Sequence, residues 1–155
     1  MRKKTRWVIY GIILGFILLQ LFQPKKNLGE RDVPEDLFKT GNVDKSVKDI
    51  LERSCYNCHS NYTNYPWYGY ISPVSIFLSK HVNKGKEELN FSGWELISDK
   101  DKISRLVDIY ESVESGEMPL PSYLLIHKEA ALSEDDKELI LSWAEKEGEI
   151  LFKKN

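Results

Sequence analysis

The chain has 155 residues, 22 of them basic and 24 acidic, with a net charge of −2, 41% hydrophobic content and 30% charged residues. That is one domain's worth of polypeptide with a core to bury, which excludes a disordered chain, a multi-domain enzyme and a strongly basic nucleic-acid binder. Two cysteines are too few for a disulfide scaffold.

The charge is unevenly placed. The four charged residues before Pro24 are all basic (Arg2, Lys3, Lys4, Arg6), which leaves the remainder at −6. Residues 1–6 form a basic tip, and residues 7–22 form an uncharged, mostly apolar run. As a helix that run spans ~24 Å against a hydrocarbon core of ~30 Å. Trp7, Lys25 and Lys26 are suited to anchor its ends at the interfaces. No alanine precedes Ala130, so the small-residue cleavage site of a signal peptide is missing. The expectation is an uncleaved, single-pass signal anchor. The basic tip places residues 1–6 in the cytoplasm and everything after residue 22 outside. Gly11 and Gly15 make a G-x-x-x-G, weak support for helix pairing in so short a run. Residues 23–42, polar and punctuated by Pro24, Gly29, Pro34 and Gly41, read as a linker.

Residues 43–155 show helical periodicity and little strand alternation, which predicts an all-α domain with long loops. Val43, Val47, Ile50, Leu51 and Cys58 fall on or near one helical face. Ser72 is placed to cap a second helix, with Pro73 at its first position and Gly85 at its end. Its apolar stripe is Val74, Phe77, Leu78, His81 and Val82. A third helix opens with Ser98 and Asp101, turns Ile103, Leu106, Val107 and Tyr110 inward, and stops near Gly116. A fourth starts at Ser133 with acids in its first turn and a core face of Leu139, Ile140, Trp143 and Ala144. The connections at residues 59–71 and 117–132 are where function is expected to sit.

Both cysteines fall in one pentapeptide, Cys55-Tyr56-Asn57-Cys58-His59. Near a helix end, residues i and i+3 share a face, so two thiols can meet the two vinyl groups on one edge of a haem. The adjacent histidine then reaches the iron, giving covalent attachment and one axial ligand together. The motif therefore predicts one haem c, held by Cys55 and Cys58 with His59 as proximal ligand. Two other readings stay open at this point. One is a structural or redox disulfide, which wants a βαβ context this chain lacks. The other is a zinc site using Cys55, Cys58 and two of His59, His81 and His127.

For the second axial position the main candidate is Met118, the one internal methionine, in Gly116-Glu117-Met118-Pro119 beyond a predicted helix end. His81 on its apolar stripe and His127 after Tyr123-Leu124-Leu125-Ile126 are the alternatives. Tyr65, Trp67 and Tyr68, in a run rich in aromatics, are expected either to pack on the haem or to fill an ordinary loop. A backbone carbonyl between Pro66 and Pro73 is the expected partner of the His59 Nδ1–H.

Gly-Glu-Met-Pro, then Leu132-Ser133 with acids, Leu139 and Trp143, resembles the carboxy-terminal half of class I c-type cytochromes. The segments CYNCHSNYTNYPWYGYISPVS at 55–75 and HVNKGKEELNFSGW at 81–94 resemble the haem-binding domain family, small bacterial proteins with one Cys-x-x-Cys-His. The likeness covers roughly residues 43–147. It implies a cytochrome c-like fold, covalent haem at Cys55 and Cys58, and ligation by His59, with Met118 carried over from the broader cytochrome pattern. The expected function is a membrane-anchored monohaem cytochrome, in a bacterial cytoplasmic (inner) membrane with its haem domain on the periplasmic side, that passes single electrons between redox partner proteins of a respiratory chain. It has no catalytic residues and no small-molecule substrate. The alternative is a haem-based sensor or peroxidase-like protein with an open or displaceable sixth ligand.

Overall fold

The structure, a computed structural model, describes residues 3–154; Met1 and Arg2 of the basic tip lie outside them. The described residues form seven α-helices and no strand, with one isolated antiparallel bridge between Leu28 and Tyr62. The all-α expectation holds.

The expected membrane span does not. Helix α1 runs Lys3–Leu19 and begins with the charged residues Lys3, Lys4 and Arg6, so its uncharged part is residues 7–19. Thirteen residues at ~1.5 Å each give about 20 Å, well short of a ~30 Å hydrocarbon core. Among the described residues no helix is long and apolar enough to cross a membrane. The single-pass anchor and the inner-membrane, periplasmic-side placement read from residues 7–22 are therefore corrected. Helix α1 is shortened because residues 20–22 turn and dock. The Gln20 side chain accepts from the Ser72 N–H at 2.9 Å and donates to the Ser72 carbonyl at 3.0 Å.

Residues 23–42, expected as a linker, are stitched to the domain. Asn27 Nδ2 donates to the Ser60 carbonyl and to Thr63 Oγ1, both at 2.9 Å. Helix α2 (Leu37–Thr40) follows, capped by Asp36, and Leu37 is fully buried. Helix α3 (Lys45–Ser54) buries Val47, Ile50 and Leu51 and ends at Cys55.

A short 3₁₀ turn at Trp67–Tyr70 leads into helix α4 (Val74–Glu88). Its buried face is Ser75, Ser79 and Val82, whereas Val74 and Phe77 of the expected stripe are exposed. The serines win because their hydroxyls find partners outside the helix: Ser75 Oγ lies 3.0 Å from Ser72 Oγ, which itself donates to the Phe22 carbonyl, and Ser79 Oγ donates to the Lys25 carbonyl. A polar face satisfied in this way loses little on burial. Gly85 does not end the helix. It lies within it, where an added Cβ would stand 3.1 Å from the Cys58 carbonyl oxygen. Its lack of a side chain lets α4 lie directly on the cysteine motif.

After a second 3₁₀ segment (Phe91–Leu96), helix α5 (Asp99–Glu114) is capped by Ser98, whose Oγ accepts from the Asp101 N–H. It buries Leu106, Ile109 and Val113, while Val107 faces outward against expectation. Gly116, at φ +75°, ends it in the left-handed conformation that glycine adopts without steric cost. Helix α6 (Pro121–Leu124) and a 3₁₀ turn at Lys128–Ala130 lead to helix α7 (Glu134–Lys154). Helix α7 buries Ile140, Trp143, Ala144 and Leu151 but not Leu139. Helices α5 and α7 pack antiparallel, with Lys154 near Asp99 at opposite chain ends of the pair. The Arg53–Asp136 ion pair at 2.6 Å and the Trp143 indole bond to the Asn42 carbonyl fasten α3 onto α7. These helices form the rigid frame from which the cysteine motif projects.

Candidate functional site

Where α3 ends, the Cys55 N–H still reaches the Leu51 carbonyl at 2.8 Å, and then the chain coils once more. The Cys58 and His59 N–H groups both turn back to the Cys55 carbonyl, at 3.1 and 3.0 Å. The residues between the cysteines pin this turn from two sides. Tyr56 points into the core, stacked between Phe38 (4.2 Å) and Phe91 (5.0 Å), with its hydroxyl donating to Asp36. Burial and the neighbouring Asp36 carboxylate push the Tyr56 phenol far up, so it stays a neutral donor. Asn57 points the other way and donates to the Tyr123 hydroxyl at 3.2 Å.

Above the turn lies a cavity of about 760 Å³, within the ~300–1,000 Å³ range of small-molecule and cofactor sites. Cys55, Cys58 and His59 line it together with Met118 and His81. Ile109, Val113, Leu120, Phe91 and Tyr123 make much of the wall apolar and aromatic. Five of the sequence-predicted residues therefore meet in one place. Met118 arrives there through the left-handed Gly116 and a bond from its own N–H to the Ser112 carbonyl at 3.0 Å.

The His59 imidazole is oriented. Its Nδ1 lies 3.1 Å from the Leu89 carbonyl, so Nδ1 carries the proton and Nε2 is left as a lone-pair donor. The acceptor comes from the end of α4, which corrects the expectation of a carbonyl between Pro66 and Pro73. Helix α4 runs a turn past Gly85, and this brings Leu89 to the ring. Burial lowers the His59 pKa, against the opposing pull of the Leu89 and Gly85 carbonyls, and keeps the ring neutral.

Other expectations change. Tyr65, Trp67 and Tyr68 do not line the cavity; Trp67 is exposed and the Tyr65 hydroxyl accepts from the Asn27 N–H. Phe91 and Tyr123 take the place proposed for them. Tyr123 was visible in the sequence only as part of an apolar run, and Phe91 carried no signal beyond its hydrophobicity. His127 also lies outside the cavity, one layer behind Tyr123. Both its nitrogens are engaged, Nε2 with the Tyr68 hydroxyl and Nδ1 with Glu129, so it has no free donor for a metal.

The competing readings of the cysteines fare poorly. Both are free thiols. Burial pushes Cys55 up to about 12 and Cys58 up to about 11, the reverse of the lowered pKa that drives thiol–disulfide exchange. Among the described residues no three His, Cys, Asp or Glu side chains cluster to hold a metal ion, so the zinc set is not assembled.

An all-helical frame around an apolar cavity, with one oriented neutral histidine and two thiols on its floor, is a site that suits a haem. The family model described as the haem-binding domain matches residues 14–146, and the chain belongs to that family. No curated protein and no solved structure matches it.

Proposed function

We propose that this protein is a c-type cytochrome that carries one electron at a time. Cys55 and Cys58 would hold the haem through thioether bonds, and His59 Nε2 and Met118 would be the protein's two ligands to the iron. The observation that carries the reading is the cavity shared by both thiols, Met118 and a His59 ring whose Nδ1 is committed to Leu89. Bound there, the haem supplies a reversible one-electron couple.

The chain's own residues set the conditions. The Leu89 carbonyl fixes the His59 tautomer and makes Nε2 a better donor. Phe91 and Tyr123 exclude water from the cavity wall, and a Met118 thioether favours the reduced state and raises the potential. With His59 and Met118 both holding the iron, no coordination site would be left for a substrate, and the protein would be a carrier with no reaction of its own. Its partners are redox proteins. The −6 charge beyond residue 23 favours partners with basic faces, with association rates that fall as salt rises.

The ferric absorption spectrum tests this. A methionine-to-iron charge-transfer band is expected in the wild type and in His81→Leu, and is expected to vanish in Met118→Leu. Loss of the band in neither variant, or a high-spin ferric spectrum with rapid carbon monoxide binding, contradicts the axial pair and favours a sensor or peroxidase-like protein.

A further inference from the structure

Next to the main cavity is a second, much smaller one of about 10 Å³, walled by Cys58, Tyr123, His127 and Tyr68 among others. That is at or below the volume that holds a single water, so these side chains are packed without a solvent gap. Cys58 and Tyr123 face both spaces. From the cavity wall outward the rings follow in unbroken contact. Tyr123 stacks on His127 at 4.2 Å and 19°. The His127 Nε2 is hydrogen-bonded to the Tyr68 hydroxyl. Tyr68 meets Trp67 edge-on at 5.8 Å. Trp67, at the start of its 3₁₀ turn, is 76% exposed.

Packing alone gives no reason for the outer end of this chain. A tryptophan so exposed contributes little apolar burial. The inner members are held rigidly. Glu129 accepts from His127 Nδ1, which fixes the tautomer that lets Nε2 receive the Tyr68 hydroxyl. Electron tunnelling falls steeply across empty space and more slowly through bonded and closely packed atoms. A covalent thioether at Cys58 followed by four touching rings is therefore a favoured path out of the cavity.

We propose that Cys58, Tyr123, His127, Tyr68 and Trp67 form the route by which electrons leave and enter, with Trp67 as the contact point for a partner redox protein. The inference rests on the electron-carrier reading above. One electron moves per event: the carrier loses it and the partner gains it. The rings bridge without being oxidised, no bond is made or broken, and no proton moves.

The test uses the full-length, haem-loaded protein carrying a ruthenium polypyridyl label on Tyr70→Cys. Residues i and i+3 eclipse in a 3₁₀ helix, so this label stands beside Trp67. A second preparation carries the label on Glu111→Cys at the cavity rim. Flash oxidation of the label withdraws one electron from the reduced protein, and the transfer rate is read directly. Trp67→Leu and His127→Leu are each expected to slow transfer to the label at 70 several-fold. Transfer to the label at 111, the absorption spectrum and the midpoint potential should be unchanged in Trp67→Leu. Trp67→Phe, which keeps a ring on the surface, should retain most of the rate. Unchanged transfer to position 70 in both leucine variants overturns the route while leaving the carrier reading intact. A protein that gives no transfer to either label overturns the carrier reading, and the route with it.

Discussion

Leu37 is the sharpest probe of how residues 23–42 belong to the domain. Its side chain is 0% exposed and joins the core cluster with Val47, Ile50, Phe91 and Trp94. The backbone closes round it: Gly41 donates to the Leu37 carbonyl at 2.8 Å, and a Cβ on Gly41 would stand 2.6 Å from Leu37 Cδ1. The site has little room to collapse. Leu37→Ala should therefore cost about 2–5 kcal/mol, the range for emptying a buried leucine site. For a chain of this size that is a fall of roughly 4–20 °C in Tm. The assay is urea unfolding of the haem-loaded protein, where the midpoint should drop with an unchanged slope. Leu37 does not line the cavity, so the absorption spectrum should be the wild type's. Leu28, 55% exposed in the same segment, is the control, and Leu28→Ala should stay within about 0.5 kcal/mol. If Leu37→Ala behaved like Leu28→Ala, the packing of this segment would be refuted.

Three further substitutions separate close approach from open space and fix a pH dependence. Gly85→Val sets a branched side chain 3.1 Å from the Cys58 carbonyl, and overpacking of ~1–3 kcal/mol should lower both Tm and the yield of haem-loaded protein. Gly148→Ala, with nothing within 4 Å, should instead stabilise α7 by up to about 1 kcal/mol; equal effects at the two glycines would contradict the packing of α4 on the motif. Glu147 is buried, and its pKa is raised by desolvation, against the opposing pull of an Asn42 backbone bond and the charges of Lys102 and Lys146. With the folded pKa above the unfolded value of about 4.3, the folded state holds the proton more tightly, so stability falls as pH rises between the two values. Glu147→Gln should raise the urea midpoint at pH 7 and remove that decline; a lowered midpoint would show that the charge is stabilising.

What the sequence made legible follows from where its signals were local. The cysteine motif, the Ser98 cap with Asp101, and the core face of Ile140, Trp143 and Ala144 depend on neighbours in the chain, and the structure keeps them. Met118 was legible as the one internal methionine, and Gly116 as the residue that ends α5. The misreadings were decided by distant partners. The stripe through Val74 and Phe77 obeys helical periodicity, yet the partners that Ser72 and Lys25 offer to Ser75 and Ser79 turn the serine face inward. Gly85 carries the signature of a helix end, but its place is set by contact with Cys58, 27 positions earlier in the chain. The Leu89 carbonyl could not be found from sequence, because a backbone acceptor has no side-chain signature. Residues 7–22 have the composition of a membrane span, and the turn at residues 20–22 that docks Gln20 on Ser72 is hidden in that apolar run.

Covalent attachment of the haem through Cys55 and Cys58 is read from the denatured polypeptide itself. Protein produced with a haem-attachment system is denatured and extracted with acid, and the colour and mass of the polypeptide are recorded. The expected result is a red chain heavier by one haem, with no free thiol, and complete release of haem from the Cys55→Ala, Cys58→Ala double variant. A colourless wild-type chain with two free thiols would contradict it.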